Sequence, residues 1–263
     1  MRGSGAIRYA VVVAAVLTLS GCAARTAQIP AMPAPPHVAA RGPAVDRIRR
    51  TRLLRIAADL SYPPMAYRQN GTPTGFDVEL ATLLAESLGA RLRVIDTPIA
   101  VLKSGGIPPD ADAAAGAIGP GLIPKVASIP YYVSSQAILS PARGAITAAG
   151  RLRGLRVAVP VAGGGVDIAR RAGANVDVTA LPAQALAAVA AGRAQAAVTD
   201  APLALDFAAI HPGLHVTGGV GERVPLVIDV PANASDLAAF VAAALHELDR
   251  DGGLATLRAR WHL

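Results

Sequence analysis

Leu54-Arg-Ile-Ala-Ala-Asp-Leu-Ser-Tyr-Pro-Pro-Met-Ala-Tyr67 and, a few residues on, Gly75-Phe-Asp-Val-Glu-Leu-Ala81 are the stretches whose reading decides the fold. The first opens as a strand, Leu53–Ala58, and breaks into a loop at Tyr62-Pro63-Pro64, where proline withholds backbone donors. Asn70-Gly71 then marks a hairpin turn. Phe76, Leu80, Leu83, Leu84 and Leu88 recur at helical spacing, with Gly89 as the C-terminal stop. A short helix from Val45 precedes this unit and a strand, Arg91–Ile95, follows it. The β-α-β order predicts an α/β architecture.

The same grammar recurs downstream. Strands are expected at Arg156–Val159, Val176–Thr179, Ala196–Thr199 and Leu214–Val216, alternating with helices at Val166–Ala172, Pro182–Ala191 and Pro202–Ile210. Helices Ala234–Asp249 and Gly253–Trp261 close the chain. Two α/β units, joined near residue 140 and rejoined near 220, predict two lobes with a cleft between them. The expected division is 44–137 plus 222–263 for lobe 1 and 138–221 for lobe 2. Crossover strands near Val133–Leu139 and Val224–Val230 form the expected hinge.

Upstream, Arg2 and Arg8 flank a positive start, and an apolar run from Tyr9 to Leu19 leads into Leu19-Ser-Gly-Cys22. The run is too short to span a bilayer and has the layout of an export signal over residues 1–21. Its ending resembles the lipobox of bacterial lipoproteins, which implies acylation of Cys22 and a protein held outside the cytoplasmic membrane. Residues 22–43 are rich in Ala and Pro and read as an extended, semi-rigid tether.

Composition narrows the function classes. Cys22 is the single cysteine, so no disulfide framework is available and stability must come from packing. Aromatics are 3% of the chain, and the formal charge of +7 comes from scattered arginines, which argues against a nucleic-acid surface. His211 and His215 are four apart, but Pro212-Gly213 between them prevents a shared helical face, so no metal is expected. No Gly-x-Ser-x-Gly elbow or phosphate-binding loop is present, no cofactor is implied, and the chain does not read as an enzyme.

The two opening stretches, with Leu152-Arg-Gly-Leu-Arg-Val-Ala-Val159, Ala194-Gln-Ala-Ala-Val-Thr-Asp-Ala-Pro202 and the ending Leu248–Trp261, resemble type 2 periplasmic solute-binding proteins. The similarity is greatest to family 3, which binds polar amino acids. The resemblance covers about residues 45–263. It implies a two-lobed α/β fold and a monomer that captures a small polar solute, an amino acid or a related compound, between its lobes. It further implies hinge closure and delivery to the permease subunits of an ABC importer.

The resemblance places Asp59 and Tyr62 on the cleft rim, as a ligand acceptor and an apolar wall with a polar tip; the alternatives are a turn aspartate and a packed tyrosine. Phe76 is a second wall or a core residue, and Asp77 a first-turn acid favoured by the helix dipole. Ala115 and Gly116 lie on the implied cleft wall. Gly163 and Gly164, in a run of three glycines, match a carboxylate-greeting loop or form a plain turn. Asp200 matches the ammonium-binding acid and is equally suited to cap the helix after it.

One departure stands out. Between Gly116 and Pro130-Tyr131-Tyr132 the segment is about two residues shorter than the family pattern, and the position of the arginine that would grip a carboxylate falls near Gly121 or Leu122, with no arginine between Arg93 and Arg143. Lys125 offers only a point charge there or is plain surface. The departure leaves open a rival reading, an accessory or sensory protein that kept the fold without the ligand, as in relatives linked to quinoprotein dehydrogenases. A dehydratase on the same scaffold is a further rival.

Overall fold

The computed structural model describes residues 29–161 and 163–263. The expected signal segment and Cys22 lie outside the described residues. Eight α-helices and eleven strands are described. Helix α1 (Pro43–Thr51) leads into β1 (Leu53–Ala58), then the small strands β2 (Ser61–Tyr62), β3 (Ala66–Gln69) and β4 (Thr72–Thr74). Next come α2 (Phe76–Ser87), β5 (Arg91–Asp96), α3 (Ile99–Gly105), β6 (Ala113–Ala114) and the long β7 (Val126–Pro141). A 3-10 turn at Ala149–Leu152 precedes β8 (Arg156–Pro160), α4 (Gly165–Arg171), β9 (Asn175–Thr179), α5 (Pro182–Ala190), β10 (Ala196–Asp200) and α6 (Ala201–Ala209). The chain ends with β11 (Leu214–Pro231), α7 (Ser235–Arg250) and α8 (Gly253–Arg260).

The strands form one sheet in the order β5-β1-β6-β11-β7-β10-β8-β9, beside the meander β2-β3-β4. Lobe 1 is built on β5, β1 and β6, which run parallel, and on β11. Lobe 2 is built on the parallel strands β9, β8 and β10. β7 and β11 serve both lobes: Asp229 of β11 pairs with Ala114 of β6, while Gln136–Leu139 of β7 pair with β10. Their mutual ladder slips register between Thr217 and Val220, between Val220 and Val224, and between Leu226 and Val227. A slipped ladder bends more readily than a regular one, which suits these strands to act as the hinge. The chain therefore has the two-lobed type 2 architecture with two crossover strands.

The helical spacing of α2 buries Phe76, Leu80, Leu83 and Leu84 in the lobe 1 core, with Leu237, Phe240, Val241, Leu245 and Leu248 of α7 beside them. Lobe 2 has smaller cores, one around Ile138, Val157, Val159 and Val198 and another around Leu139, Leu186 and Val189. Asn70 and Gly71 take φ of 50° and 81°, the left-handed pair that a two-residue hairpin joining β3 to β4 requires.

Three features differ from the sequence reading. Helix α3 and the two-residue β6 had no periodic signal, being too short to show one. Leu214–Val216 and Val224–Val230 are parts of one strand, β11, because β7 offers a continuous partner. The Pro-rich segment is not a free spacer over its described part: Pro36 is buried, Val38 and Ala40 pack on the lobe 1 core, and the His37 amide donates to Glu247 at 2.9 Å. The Asp236 carboxylate accepts from the Ala44 and Val45 amides at 2.9 and 3.0 Å, satisfying the exposed donors that open α1.

The C-terminus is tied back by Glu79 of α2. Its carboxylate takes two bonds from the Arg260 guanidinium, at 2.9 and 3.0 Å, and one from the Trp261 indole at 2.8 Å. Glu79→Ala strands both donors, and a loss of about 1–3 kcal/mol is expected by chemical denaturation. A change within about 0.5 kcal/mol would mean that α8 packing alone holds this end.

Candidate functional site

A cavity of about 360 Å³ opens between the lobes. Lobe 1 and the hinge contribute Tyr62, Ala117, Gly119, Leu122, Val224 and Leu226; the crossover strands add Ser134, Ser135, Gln136 and Glu222. Lobe 2 contributes Gly163, Gly164 and Asp200. At its centre Asp200, at the C-terminal end of β10, accepts from the Tyr62 hydroxyl across the cleft and from the Gln136 side-chain amide. Burial, followed by the nearby Asp200 carboxylate, pushes the Tyr62 phenol far above its ordinary range, so it stays a neutral donor.

Asp200 takes the N-cap position of α6 with Pro202 in the first turn, yet its side chain makes no capping bond. The carboxylate points into the cavity instead. Gly164 and Gly165 open α4; a Cβ on Gly165 would stand 2.7 Å from the Val198 carbonyl oxygen, so the residue there must be glycine for the loop to lie against β10. A Cβ on Gly163 would lie 3.8 Å from Asp200 Oδ1, which sets this loop beside the carboxylate.

The other expected positions fall elsewhere. Asp59 does not line the cavity: its Oδ1 accepts from the Ser61 amide at 3.1 Å and from the Ser61 hydroxyl, and its Oδ2 from the Ile99 amide that opens α3, at 2.8 Å. Phe76 is fully buried and stacks on Tyr131, centroids 6.0 Å apart and planes at 19°. Ala115 is buried, its amide donating to Ala57, and Gly116 sits against Ala58; Ala117, next in the chain, is the residue at the cavity wall. Lys125 faces a separate hollow beside Gly105 and Gly106. The His211 ring stacks on Phe207 with its Nδ1 2.7 Å from that residue's carbonyl oxygen. Among the described residues no group of three or more His, Cys, Asp or Glu is placed to hold a metal.

Asp77 is more than a first-turn acid. It is buried, and its Oδ2 accepts from the Ala117 amide at 2.8 Å, fixing that residue at a φ of +55° beside the cavity. Burial pushes its carboxyl up to about 6, opposed by the Tyr131 hydroxyl and the Ala117 amide. Gln136, Ser134, Ser135 and Glu222 were missed in the sequence reading. They sit on the crossover strands, where β alternation reads as ordinary hinge and only the fold shows which face meets the cleft.

The family model for bacterial extracellular solute-binding proteins, family 3, matches residues 54–263. The chain belongs to that family. This family 3 protein is 26% identical to a probable amino-acid ABC transporter-binding protein of Haemophilus influenzae over 84% of its own length and 88% of the relative's. A 54-residue segment, 20% of either chain, is 48% identical to cyclohexadienyl dehydratase of Pseudomonas aeruginosa. Among solved structures, an ancestral cationic amino-acid solute-binding protein matches with a TM-score of 0.76 and 27% identity, covering 84% of this chain and 100% of that one. The L-cystine solute receptor of Neisseria gonorrhoeae, in an unliganded open conformation, shares the fold with a TM-score of 0.69 at 24% identity over 84% and 97% of the two chains.

Proposed function

We propose that this family 3 protein captures a small polar solute, an amino acid or a related compound, in the interlobe cavity and presents it to an ABC importer. The observation that carries the reading is Asp200: a carboxylate at a strand end, turned away from its own helix and bonded across the cleft to Tyr62. A ligand that replaces or joins this bond is held by both lobes. It thereby stabilises the closed arrangement, with β7 and β11 as the hinge. Tyr62, Gly163, Gly164 and Asp200 are the expected positions that fit such a site, joined by Gln136 and Glu222. The lobes divide near 137 and 222, where the two long strands cross.

The export signal and the Leu19-Ser-Gly-Cys22 ending support lipid anchoring at Cys22 on the outer side of the cytoplasmic membrane. Val38 and Ala40 of the tether pack on the lobe 1 core, so an anchor at Cys22 would hold the protein through lobe 1.

A thermal-shift and calorimetric panel of amino acids, amines, organic acids and sugars tests the function. Asp200→Ala is expected to weaken the best ligand between tenfold and a hundredfold, the loss of one charged hydrogen bond. Unchanged affinity would remove Asp200 from the site. The local match to a dehydratase favours a second reading, catalysis in the same cavity. Binding predicts that the compound is recovered unaltered after incubation, whereas catalysis predicts its conversion, and mass spectrometry separates the two.

A further inference from the structure

We propose that the solute is an organic cation without a carboxylate, a primary amine or guanidine of a few carbons. The inference rests on the proposed solute-binding function and names its ligand class. Asp200 and Glu222 are the acids of the cavity, and no Arg, Lys or His among the described residues lines it. The neighbours of Asp200, Tyr62 and Gln136, are neutral donors, so they satisfy its lone pairs without compensating its charge. The counter-charge must come from the ligand.

On lobe 1, the wall where an arginine would pair with a ligand carboxylate is apolar. Leu122, which with Gly121 brackets the position where the family pattern expects an arginine, faces the cavity beside Gly119 and Val224. The nearest basic residues in sequence point elsewhere: Lys125 into the hollow beside Gly105, and Arg223 into a groove with Arg258 and His246. A carboxylate entering the cavity would be a third anion in a space without a cation, and desolvating it there is costly. An ammonium or guanidinium meets the opposite situation: it pairs with Asp200, and its carbon chain lies on Leu122, Val224 and Leu226. A volume near 360 Å³ suits a ligand of this size.

Two matched pairs decide the matter, because each differs only by the carboxylate: lysine against cadaverine, and arginine against agmatine. Titration calorimetry on the full-length chain in detergent should show the amine of a pair binding at least tenfold tighter than its amino acid. Asp200→Asn should cost that amine tenfold or more, with the circular dichroism spectrum unchanged. An amino acid that binds as tightly as, or more tightly than, its decarboxylated partner overturns the inference and leaves solute binding standing. Binding of no pair member, and of nothing in the wider panel, to well-folded protein overturns both.

Discussion

Phe76→Ala is expected to lower stability by about 3–5 kcal/mol, the usual cost of emptying a large aromatic site in a core. The ring is fully buried at the start of α2, stacked on Tyr131 and tilted against Tyr132 at 6.1 Å between centroids. These residues come from two different elements, α2 and β7, each held by its own packing, so neither can collapse into the space alone. For a chain of this size the midpoint should fall by roughly 10 °C or more. Because the ring faces the core and not the cavity, ligand affinity measured well below the midpoint should stay within about twofold. A small stability loss together with lost binding would place the ring on the cleft wall and overturn this assignment.

Stability should fall as pH rises through the carboxylate range, with Asp77 the main contributor. Its carboxyl is pushed up to about 6 in the folded protein, above an ordinary value near 3.8. Between those values the folded state holds the proton more tightly than the unfolded chain does. Raising the pH therefore favours unfolding, and the penalty is complete above about 6. A shift of this size corresponds to about 2–3 kcal/mol. Burial also raises Asp229, opposed by the Ser128 hydroxyl, and burial raises Asp206, so both act in the same direction.

Asp77→Asn removes the charge but keeps an acceptor for the Ala117 amide and supplies a donor towards the Tyr131 hydroxyl. The Asp77 Oδ1 and that hydroxyl are both buried without a well-aligned partner, so the amide has room to improve the fit. The variant should gain about 1–3 kcal/mol at pH 7 and flatten the stability profile between pH 4 and 7. Denaturant melts across that range check both points. A variant destabilised at pH 7 but not at pH 4 would mean that the negative charge itself holds the 115–117 turn.

Most of the fold was legible because it is written in short periods. The recurrence of Phe76, Leu80, Leu83 and Leu84 marks α2, and these side chains are buried. Asn70-Gly71 marks its hairpin, and the alternation of strands and helices marks both lobes. Helix α3 and β6 escaped notice because seven and two residues are too few for a period to repeat. The long strand β11 escaped because its middle, Gly218 to Arg223, has poor strand propensity and is held in place by β7.

The candidate site was legible only where a residue's position along the chain determines its direction. Asp200 and Tyr62 stand at the ends of strands that meet the cleft, and both line the cavity. Asp59 stands in an equally suitable place, but its carboxylate is occupied by Ser61 and by Ile99, 40 residues away. Glu222 and Gln136 carry no local pattern that marks them as cavity residues.

The sequence by itself determined the α/β order, the two lobes, the missing arginine and the charge available to the site. Tertiary structure decided which acids face the cavity and which are spent on backbone amides. The physical reason is distance along the chain. Periodicity and turn chemistry act between neighbours, whereas the partners of Asp200 lie 64 and 138 residues away, and only the folded backbone brings them together.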